Sequence, residues 1–284
     1  MMSTKPLKTQ PTVQAQLVVI VVIYNQKITE TEVYRFLSPL KPCFQLVLFD
    51  NSTDTSIVQY NQNISLQTNA IRLGSGENLG LSKAYAHAVA HVQTAYPLIS
   101  WILTLDQDTI LNETYFSEIL SLTETKQSAI YYPSVYTQNG LFSPHLLNRQ
   151  LGAGLMSHDP KKDYVIPINS GTLWSINLFK MIHFDESLFL DMVDYDLFFQ
   201  LFSQPQTVEM TLMQATIHQN FSGEIRSTLD NALFRFKIYH HDFITFCKKW
   251  NVPAHYTKLI LLKRALKLNW TYKTIRFTQI LFKN

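Results

Sequence analysis

The feature that most constrains the fold is the uninterrupted apolar run Leu17–Ile23, with the sequence LVVIVVI. It is rich in β-branched side chains, which favour strands over helices. A strand that lacks alternating polar residues is typical of a sheet covered by helices on both faces. Because the run is far shorter than the roughly 20 residues that a membrane-spanning helix needs, it does not predict a span. The run therefore predicts a central strand of an α/β fold.

Strand and helix patterns alternate after this run. Leu46–Phe49, Ile71–Leu73 and Leu98–Leu105 read as strands, whereas Ile28–Ser38 and Leu81–Gln93 carry apolar residues at helical spacing. This alternation is typical of parallel α/β sheets.

The pattern loosens after Asn112. Further strands are predicted at Ala129–Val135, within Ile166–Ile176 and at Val208–His218, and a helix is predicted at Leu197–Phe202. From Leu229 onward the chain reads as helical, with a break at Asn251-Val252-Pro253. We expect a flexible N-terminal tail at residues 1–16, a catalytic domain at 17–225 and a basic amphipathic helical region at 226–284.

Composition excludes several classes of protein. Apolar residues make up 46% of the chain and charged residues 16%, which argues against disorder. The two cysteines, Cys43 and Cys247, are too few and too far apart for a disulfide framework or a zinc motif. Residues 1–16 lack the apolar core of a signal peptide, so we expect a reducing, cytoplasmic compartment.

Acidic residues follow two of the predicted strands. Asp106-Gln107-Asp108 comes directly after Leu98–Leu105, and Asp50-Asn51 follows Leu46–Phe49. Open α/β sheets bind ligands where their strands end, and carboxylates bind hard divalent cations or the hydroxyls of a nucleotide. For both groups the alternative is a solvated turn, since Asp and Asn favour turns.

The segment Phe184–Asp196 interleaves five acidic residues with large apolar ones. If a helix begins here, Asp191 and Asp194 lie on one face. A carboxylate in a partly apolar pocket has the raised pKa that a general base requires, but acidic residues are also common in the first turn of a helix. His218, at the end of a predicted strand, either completes a metal site begun by two aspartates or is structural.

These pieces occur in the order of the family 2 glycosyltransferases with the GT-A fold. The sequence most resembles the rhamnosyltransferase-like members that build bacterial surface polysaccharide. The residues that carry the resemblance are Tyr24-Asn25, Leu48–Ser52, Asn78–Ala84, Leu103–Thr109, Asn169–Thr172, Phe184–Asp196 and His218. The resemblance spans roughly residues 17 to 225. It implies an α/β, Rossmann-like fold with a mostly parallel central sheet flanked by helices and a C-terminal helical extension.

The resemblance also implies roles for single residues. Asp108, Asp106 and His218 would hold Mn²⁺ or Mg²⁺, and Asp194 would be the catalytic base, with Asp191 in reserve. Asp50 would contact the base or ribose of the nucleotide. The residues implied to bind the nucleotide sugar are Tyr24, Asn25, Asp50, Asn78, Gly80, Lys83, Asp106, Gln107 and Gly171.

The implied function is inverting, metal-dependent transfer of a sugar from a nucleoside-diphosphate donor to a glycan or lipid-linked glycan acceptor. Rhamnose from dTDP-rhamnose is favoured, and a UDP-sugar is the alternative donor. Val193 and Gln200 replace an acid and a basic residue of the family pattern. They favour a second hypothesis, a non-catalytic nucleotide-sugar-binding partner of another transferase. A sugar nucleotidyltransferase would need a Gly-rich loop after the first strand, and Tyr24-Asn25-Gln26 is not one.

The C-terminal region is strongly basic. From Phe243 to Asn284 it contains nine Lys or Arg residues and no Asp or Glu. Its mixture of basic, aliphatic and aromatic residues resembles an interfacial amphipathic segment. We therefore expect peripheral contact with the inner face of the cell membrane and no binding of nucleic acid. The alternative is that these helices pack on the catalytic domain.

Overall fold

The structure is a computed structural model that describes residues 16–40, 43–68, 70–124, 129–146, 164–220 and 228–282. The strands are β1 (Leu17–Ile23), β2 (Gln45–Asp50), β3 (Ile71–Leu73), β4 (Trp101–Asp106), β5 (Thr109–Ile110), β6 (Ala129–Thr137), β7 (Gly140–Ser143), β8 (His145–Leu146), β9 (Val165–Ile166), β10 (Thr172–Ser175) and β11 (Glu209–Gln219). The α-helices are α1 (Glu32–Leu37), α2 (Thr55–Thr68), α3 (Leu81–Ala95), α4 (Glu113–Thr123), α5 (Val193–Phe202), α6 (Leu229–Lys249), α7 (Ala254–Tyr272) and α8 (Arg276–Phe282). The predicted tail falls almost wholly outside the described residues, and so does the predicted boundary at residue 225.

One large sheet organises the molecule, with the strand order β3-β2-β1-β4-β10-β6-β11-β5. The first four of these strands are parallel to one another, and β11 is parallel to β6. Strand β10 runs antiparallel to both of its neighbours, β4 and β6. The predicted α/β fold flanked by helices is confirmed, and its sheet is mixed, because β10 is inserted in the opposite direction and β5 and β7 return along β11 and β6.

The central strand β1 is buried along its whole length, as its composition predicts. Val18, Ile20 and Val22 face a core that includes α3, α5 and the C-terminal helices. The alternate residues of β1 face a second core that includes α1 and α4. Both faces of the sheet are therefore covered, and the strand ends are left as the place where polar side chains can gather.

The C-terminal helices pack on the rest of the molecule. Phe236, Phe243 and Phe246 of α6 belong to the same core as α3 and α5, and Leu261 of α7 and Phe277 of α8 are buried there too. Within the described residues, no helix has the length and hydropathy needed to cross a bilayer.

Candidate active site

A cavity of about 560 Å³ opens where β1 and β4 end and where α5 begins. The carboxyl ends of parallel strands meet at one edge of a sheet, which is why residues far apart in sequence come together here. The polar residues that line it are Tyr24, Asn51, Asn78, Asp106, Gln107, Asp108, His145, Asn169, Ser170, Asp191, Asp194, Tyr195, Gln219 and Arg235.

Asp106 and Asp108 lie at the floor of the cavity and are tied to several elements. The Tyr85 hydroxyl of α3 donates a 2.8 Å hydrogen bond to Asp106 Oδ1, and the Asp106 N–H donates to Ser170 Oγ at 2.9 Å. Between the two aspartates, Gln107 Oε1 accepts a 2.7 Å hydrogen bond from the Tyr24 N–H. The triplet therefore ends in a turn that is partly buried and hydrogen-bonded to neighbouring elements, and it is not freely solvated.

Both carboxyl groups resist ionisation in this setting. Burial, with a further contribution from the charge of Asp108, raises the pKa of Asp106 to about 7, although hydrogen bonds from Tyr85 and Gln219 oppose this. Burial likewise raises the pKa of Asp108, against a hydrogen bond from Gln219. Two partly buried carboxylates that share the Gln219 carboxamide as a neighbour are stabilised in their charged form by a cation between them.

The residues present fit a divalent cation. Besides the two aspartates, the buried Gln219 side chain has a carboxamide oxygen without a hydrogen-bond partner among the described residues. Oxygen ligands of this kind suit Mg²⁺ and Mn²⁺. Within the described residues, no three His, Cys, Asp or Glu side chains form a group that could hold a metal ion.

His218 is not brought to the aspartates. Residues 213, 215, 217 and 219 of β11 are buried while 214, 216 and 218 are exposed, as alternation along a strand requires. The His218 ring lies on the exposed side, with its centroid 6.0 Å from that of Tyr136. The next residue, Gln219, points to the aspartates instead and donates from Nε2 to Asp108 Oδ1 at 2.8 Å.

Asp50 is fully buried, and its carboxylate is already engaged by the protein. Arg72 Nε donates to Asp50 Oδ2 at 3.0 Å, Asn61 Nδ2 donates to the same oxygen at 3.1 Å, and the Ser52 N–H donates to Oδ1. Asp50 does not line the cavity, whereas the adjacent Asn51 does. Its contact with a donor nucleotide stays a prediction.

The Asn78-Leu79-Gly80 turn lies against the acidic segment. Asn51 holds it by donating to the Gly80 carbonyl at 3.0 Å and accepting from the Leu79 N–H at 3.2 Å. Gly80 has φ +85°, and a Cβ atom there would lie 2.5 Å from the Phe189 carbonyl oxygen, so the close approach requires glycine. Asn78 and Gly80 line the cavity.

Three other predicted binding residues lie beside the cavity and do not line it. Lys83 lines a neighbouring cavity of about 510 Å³, together with Lys237 and His241. Asn25 joins two strand ends, because its Oδ1 accepts from the Thr53 N–H at 2.8 Å. Gly171 packs against β11, where an added Cβ would lie 2.5 Å from Ile217.

Asp194 projects into the cavity from the first turn of α5. The helix begins after Met192, which has a left-handed backbone conformation. Asp194 Oδ1 accepts a 2.9 Å hydrogen bond from the Asn169 N–H. Burial raises the pKa of Asp194 to about 6, with the hydrogen bond from Asn169 lowering it and the charge of Asp191 raising it. A carboxylate with a pKa close to neutrality is suited to accept a proton.

Asp191 also lines the cavity, but its carboxylate is committed to an ion pair. The two terminal nitrogens of Arg235, Nη1 and Nη2, donate to it, with Nη2 at 3.0 Å from Oδ1. Arg235 comes from α6 and was not predicted as a site residue. Of the two candidate bases, Asp194 therefore has the carboxylate that is less engaged by described residues.

A second residue of α6 was also missed. Asp242 is fully buried, and it accepts hydrogen bonds from the backbone N–H groups of Phe189, Leu190 and Asp191 at 3.0, 2.8 and 2.8 Å. It fixes the segment that lines the cavity just before Asp194. The sequence signal was weak, because Asp242 is one of two acidic residues in a helix that carries several basic and aromatic ones.

Val193 and Gln200, the two departures from the family pattern, have structural explanations. Val193 is buried in the core. Gln200 Nε2 donates to the His183 carbonyl at 2.8 Å and to Asp196 Oδ2 at 2.7 Å, and Lys249 of α6 also donates to Asp196 at 2.8 Å. Neither side chain lines the cavity.

Comparisons with known proteins give one family match and several matches in fold. The family model described as glycosyl transferase family 2 matches residues 18–182. S. aureus TarS 1–349 in complex with UDP is similar over 94% of this chain and 75% of that chain, with 16% identity and a TM-score of 0.51. Glucosyl-3-phosphoglycerate synthase from Mycobacterium tuberculosis, in complex with phosphoglyceric acid, is similar over 84% of this chain and 80% of that chain, with 16% identity and a TM-score of 0.55.

These structural similarities show a shared fold. The chain spans 44% of the length of the longer TarS structure that it matches. No curated protein sequence matches it significantly. The family model covers more than half of the chain, and on that ground the protein belongs to glycosyl transferase family 2, as predicted.

Proposed function

We propose that the protein transfers a sugar from a nucleoside-diphosphate donor to an acceptor hydroxyl, with inversion at the anomeric carbon. The observation that carries this is the placement of Asp194 in one cavity with the partly buried pair Asp106 and Asp108. The reaction needs a carboxylate that accepts a proton and a separate pair of carboxylates that holds the cation for the leaving diphosphate.

In this mechanism Asp194 takes the proton of the acceptor hydroxyl as that oxygen attacks. The hydrogen bond from the Asn169 N–H orients its Oδ1, which leaves Oδ2 to face the acceptor. Asp106 and Asp108 would hold Mn²⁺ or Mg²⁺, which when bound neutralises the charge that develops on the leaving diphosphate. Arg235 keeps Asp191 paired, so that a single carboxylate is positioned to receive the proton.

Two observations bear on the identity of the donor, a sequence resemblance and the ligands of similar structures. The resemblance to rhamnosyltransferases favours dTDP-rhamnose, and the TarS structures that share this fold were solved with UDP and UDP-GlcNAc. Tyr24 is half-exposed at the end of β1 and lines the cavity, where its ring could stack on a pyrimidine base. We propose a pyrimidine nucleotide sugar, with dTDP-rhamnose as the first candidate.

A panel of nucleotide sugars identifies the donor. The melting temperature is measured for each sugar with and without Mn²⁺, since a ligand that binds only the folded state raises it. The sugar that stabilises most is then tested for transfer to glycan and lipid-linked acceptors, and the anomeric configuration of the product is read by NMR. Binding without transfer to any acceptor would favour a non-catalytic partner subunit.

We further propose that α7 contacts an anionic membrane surface that carries a lipid-linked acceptor. Leu259, Leu262, Leu266 and Trp270 are exposed along one stripe of the helix, and Trp270 is 89% exposed. Lys258, Lys263 and Lys267 are exposed beside them. Apolar and aromatic residues flanked by lysines suit the interface of a bilayer with acidic headgroups.

Flotation with vesicles tests the membrane contact. Binding to vesicles that contain phosphatidylglycerol, and much weaker binding to pure phosphatidylcholine, is expected. Leu266→Glu should weaken it, whereas Leu66→Glu, at an exposed leucine of α2, should not. Equal binding of both variants would contradict a role for this stripe.

A further inference from the structure

We infer that Gln219 is a third protein ligand of the cation held by Asp106 and Asp108, and that it binds through its carboxamide oxygen. This inference deepens the proposed function and rests on it for the presence of the cation. It also moves the third position from His218 to the next residue along β11.

The first support is the position of the carboxamide. Its Nε2 lies 2.8 Å from Asp108 Oδ1 and 3.5 Å from Asp106 Oδ2, so one nitrogen bridges both carboxylates. A donor placed between two carboxylates occupies the region where a cation would be attracted. Gln219 is therefore the side chain that any ion at the aspartates would contact.

The second support is the carboxamide oxygen, Oε1, of the same side chain. Gln219 is 4% exposed, and its Oε1 has no hydrogen-bond partner within the described part of the chain. Buried carbonyl oxygens in folded proteins are rarely left without a partner. An amide oxygen is also a good ligand for a hard cation. Turning this oxygen towards an ion therefore breaks no hydrogen bond that it makes with a described residue.

The backbone around Gln219 does not need to move for this exchange. Gln219 pairs with Thr109 in the β11–β5 ladder, and the Asn220 N–H donates to the Asp108 carbonyl at 3.2 Å. Rotation of the terminal amide exchanges Nε2 and Oε1 within nearly the same volume. With a cation bound, the oxygen turns to the ion; without one, the nitrogen donates to the carboxylates.

A competing interpretation is that Gln219 only buttresses the aspartates. The two interpretations predict opposite changes in the affinity for Mn²⁺ when Gln219 is replaced. A buttress that donates to the carboxylates competes with a cation, so removing it should leave the affinity for Mn²⁺ unchanged or raise it. Removing a ligand should lower that affinity, by about tenfold or more on the scale of changes at metal sites.

The experiment measures Mn²⁺ binding by the EPR signal of the free ion, with and without UDP, and needs no turnover. We expect Gln219→Met, which keeps the volume and removes the oxygen, to weaken binding at least about tenfold. Gln219→Glu should strengthen it, because an oxygen ligand is kept and a charge is added. Gln214→Met, the same change at an exposed position of the same strand, should have no effect.

His218→Ala tests whether His218, and not Gln219, is the third ligand. This variant should also leave the affinity for Mn²⁺ unchanged. Unchanged or tighter binding by Gln219→Met, with circular dichroism like that of the unsubstituted protein, would overturn the inference. So would a loss on His218→Ala that Gln219→Met does not show. If the unsubstituted protein binds no Mn²⁺ yet transfers sugar in the presence of a chelator, the cation site fails while the proposed function stands.

Discussion

The Asn169 N–H donates a 2.9 Å hydrogen bond to Asp194 Oδ1 and so links the turn before β10 to the first turn of α5. Asn169 also contacts β4, since the Thr104 hydroxyl donates to its carbonyl oxygen at 2.7 Å. One residue therefore couples the candidate base to the strand that ends in Asp106. The distance between the proton acceptor and the diphosphate site is set by this link.

The pH dependence of transfer should report on Asp194. Its pKa is raised to about 6, and only the deprotonated form accepts a proton. The rate should therefore rise with pH up to about 6 and then level off, with a fall of about tenfold per unit below that value. Steady-state rates from pH 4.5 to 8 measure this at saturating donor and saturating Mn²⁺, because a bound cation keeps Asp106 and Asp108 ionised.

Protonation of Asp194 does not destabilise the folded protein, so acid unfolding caused by this residue does not explain such a profile. A carboxyl group whose pKa is raised on folding binds protons more tightly in the folded protein, so its contribution to stability falls as the pH rises from about 4 to about 6. The melting temperature should show no loss at pH 5 that is attributable to this group. A transfer rate that stays flat from pH 5 to 7 would argue that Asp194 is not the base.

Asp242→Asn should disorder the segment next to the base. The carboxylate accepts from three backbone N–H groups, and an amide can accept at only one of its two positions. Hydrogen bonds to charged groups contribute about 1.5–3 kcal/mol each, so a loss of that order in the free energy of unfolding is expected. Chemical denaturation measures it.

Asp230→Asn is the matched control for that change, because Asp230 lies on the same helix but its side chain is 85% exposed in its ion pair with Arg276. It should shift stability by well under about 1 kcal/mol. Equal effects of the two variants would show that the buried contacts of Asp242 do not organise the segment.

Gly80→Ala should destabilise the cavity edge. The residue has φ +85°, and the new Cβ would lie 2.5 Å from the Phe189 carbonyl oxygen. Backbone strain of this kind costs about 1–3 kcal/mol, and the steric contact adds to it. Gly76→Ala has a similar φ of +87° but no atom within 4 Å, so the difference between the two melting temperatures isolates the contact with Phe189. Identical melting temperatures would contradict it.

Much of the sheet was predictable because its strands have strong local signals. The predictions at Leu17–Ile23, Leu46–Phe49 and Val208–His218 agree with β1, β2 and β11 to within a residue or two at each end. Helix α2 was not predicted, since it buries only Asn61 and Ser65 and lacks an apolar stripe. A helix that covers the sheet edge with polar residues carries no periodic signal.

The residues that gather at the strand ends could be predicted from the sequence. The direction in which each side chain points could not. Asp106, Asp108, Asp191 and Asp194 do share one cavity. The choice between His218 and Gln219 depends on which face of β11 is buried, and a shift of one residue reverses it. The contributions of α6 were not predicted, because Arg235 reaches the cavity, and Asp242 reaches the segment that lines it, only through tertiary packing.

The most direct test of the account compares donor binding and transfer for Asp194→Asn with those of the unsubstituted protein. Asparagine keeps the shape and can still accept from the Asn169 N–H, but it cannot take a proton at neutral pH. We predict donor affinity within about threefold and transfer reduced by about a hundredfold to ten-thousandfold, the range of general-base catalysis. Retention of full transfer by Asp194→Asn would contradict the account.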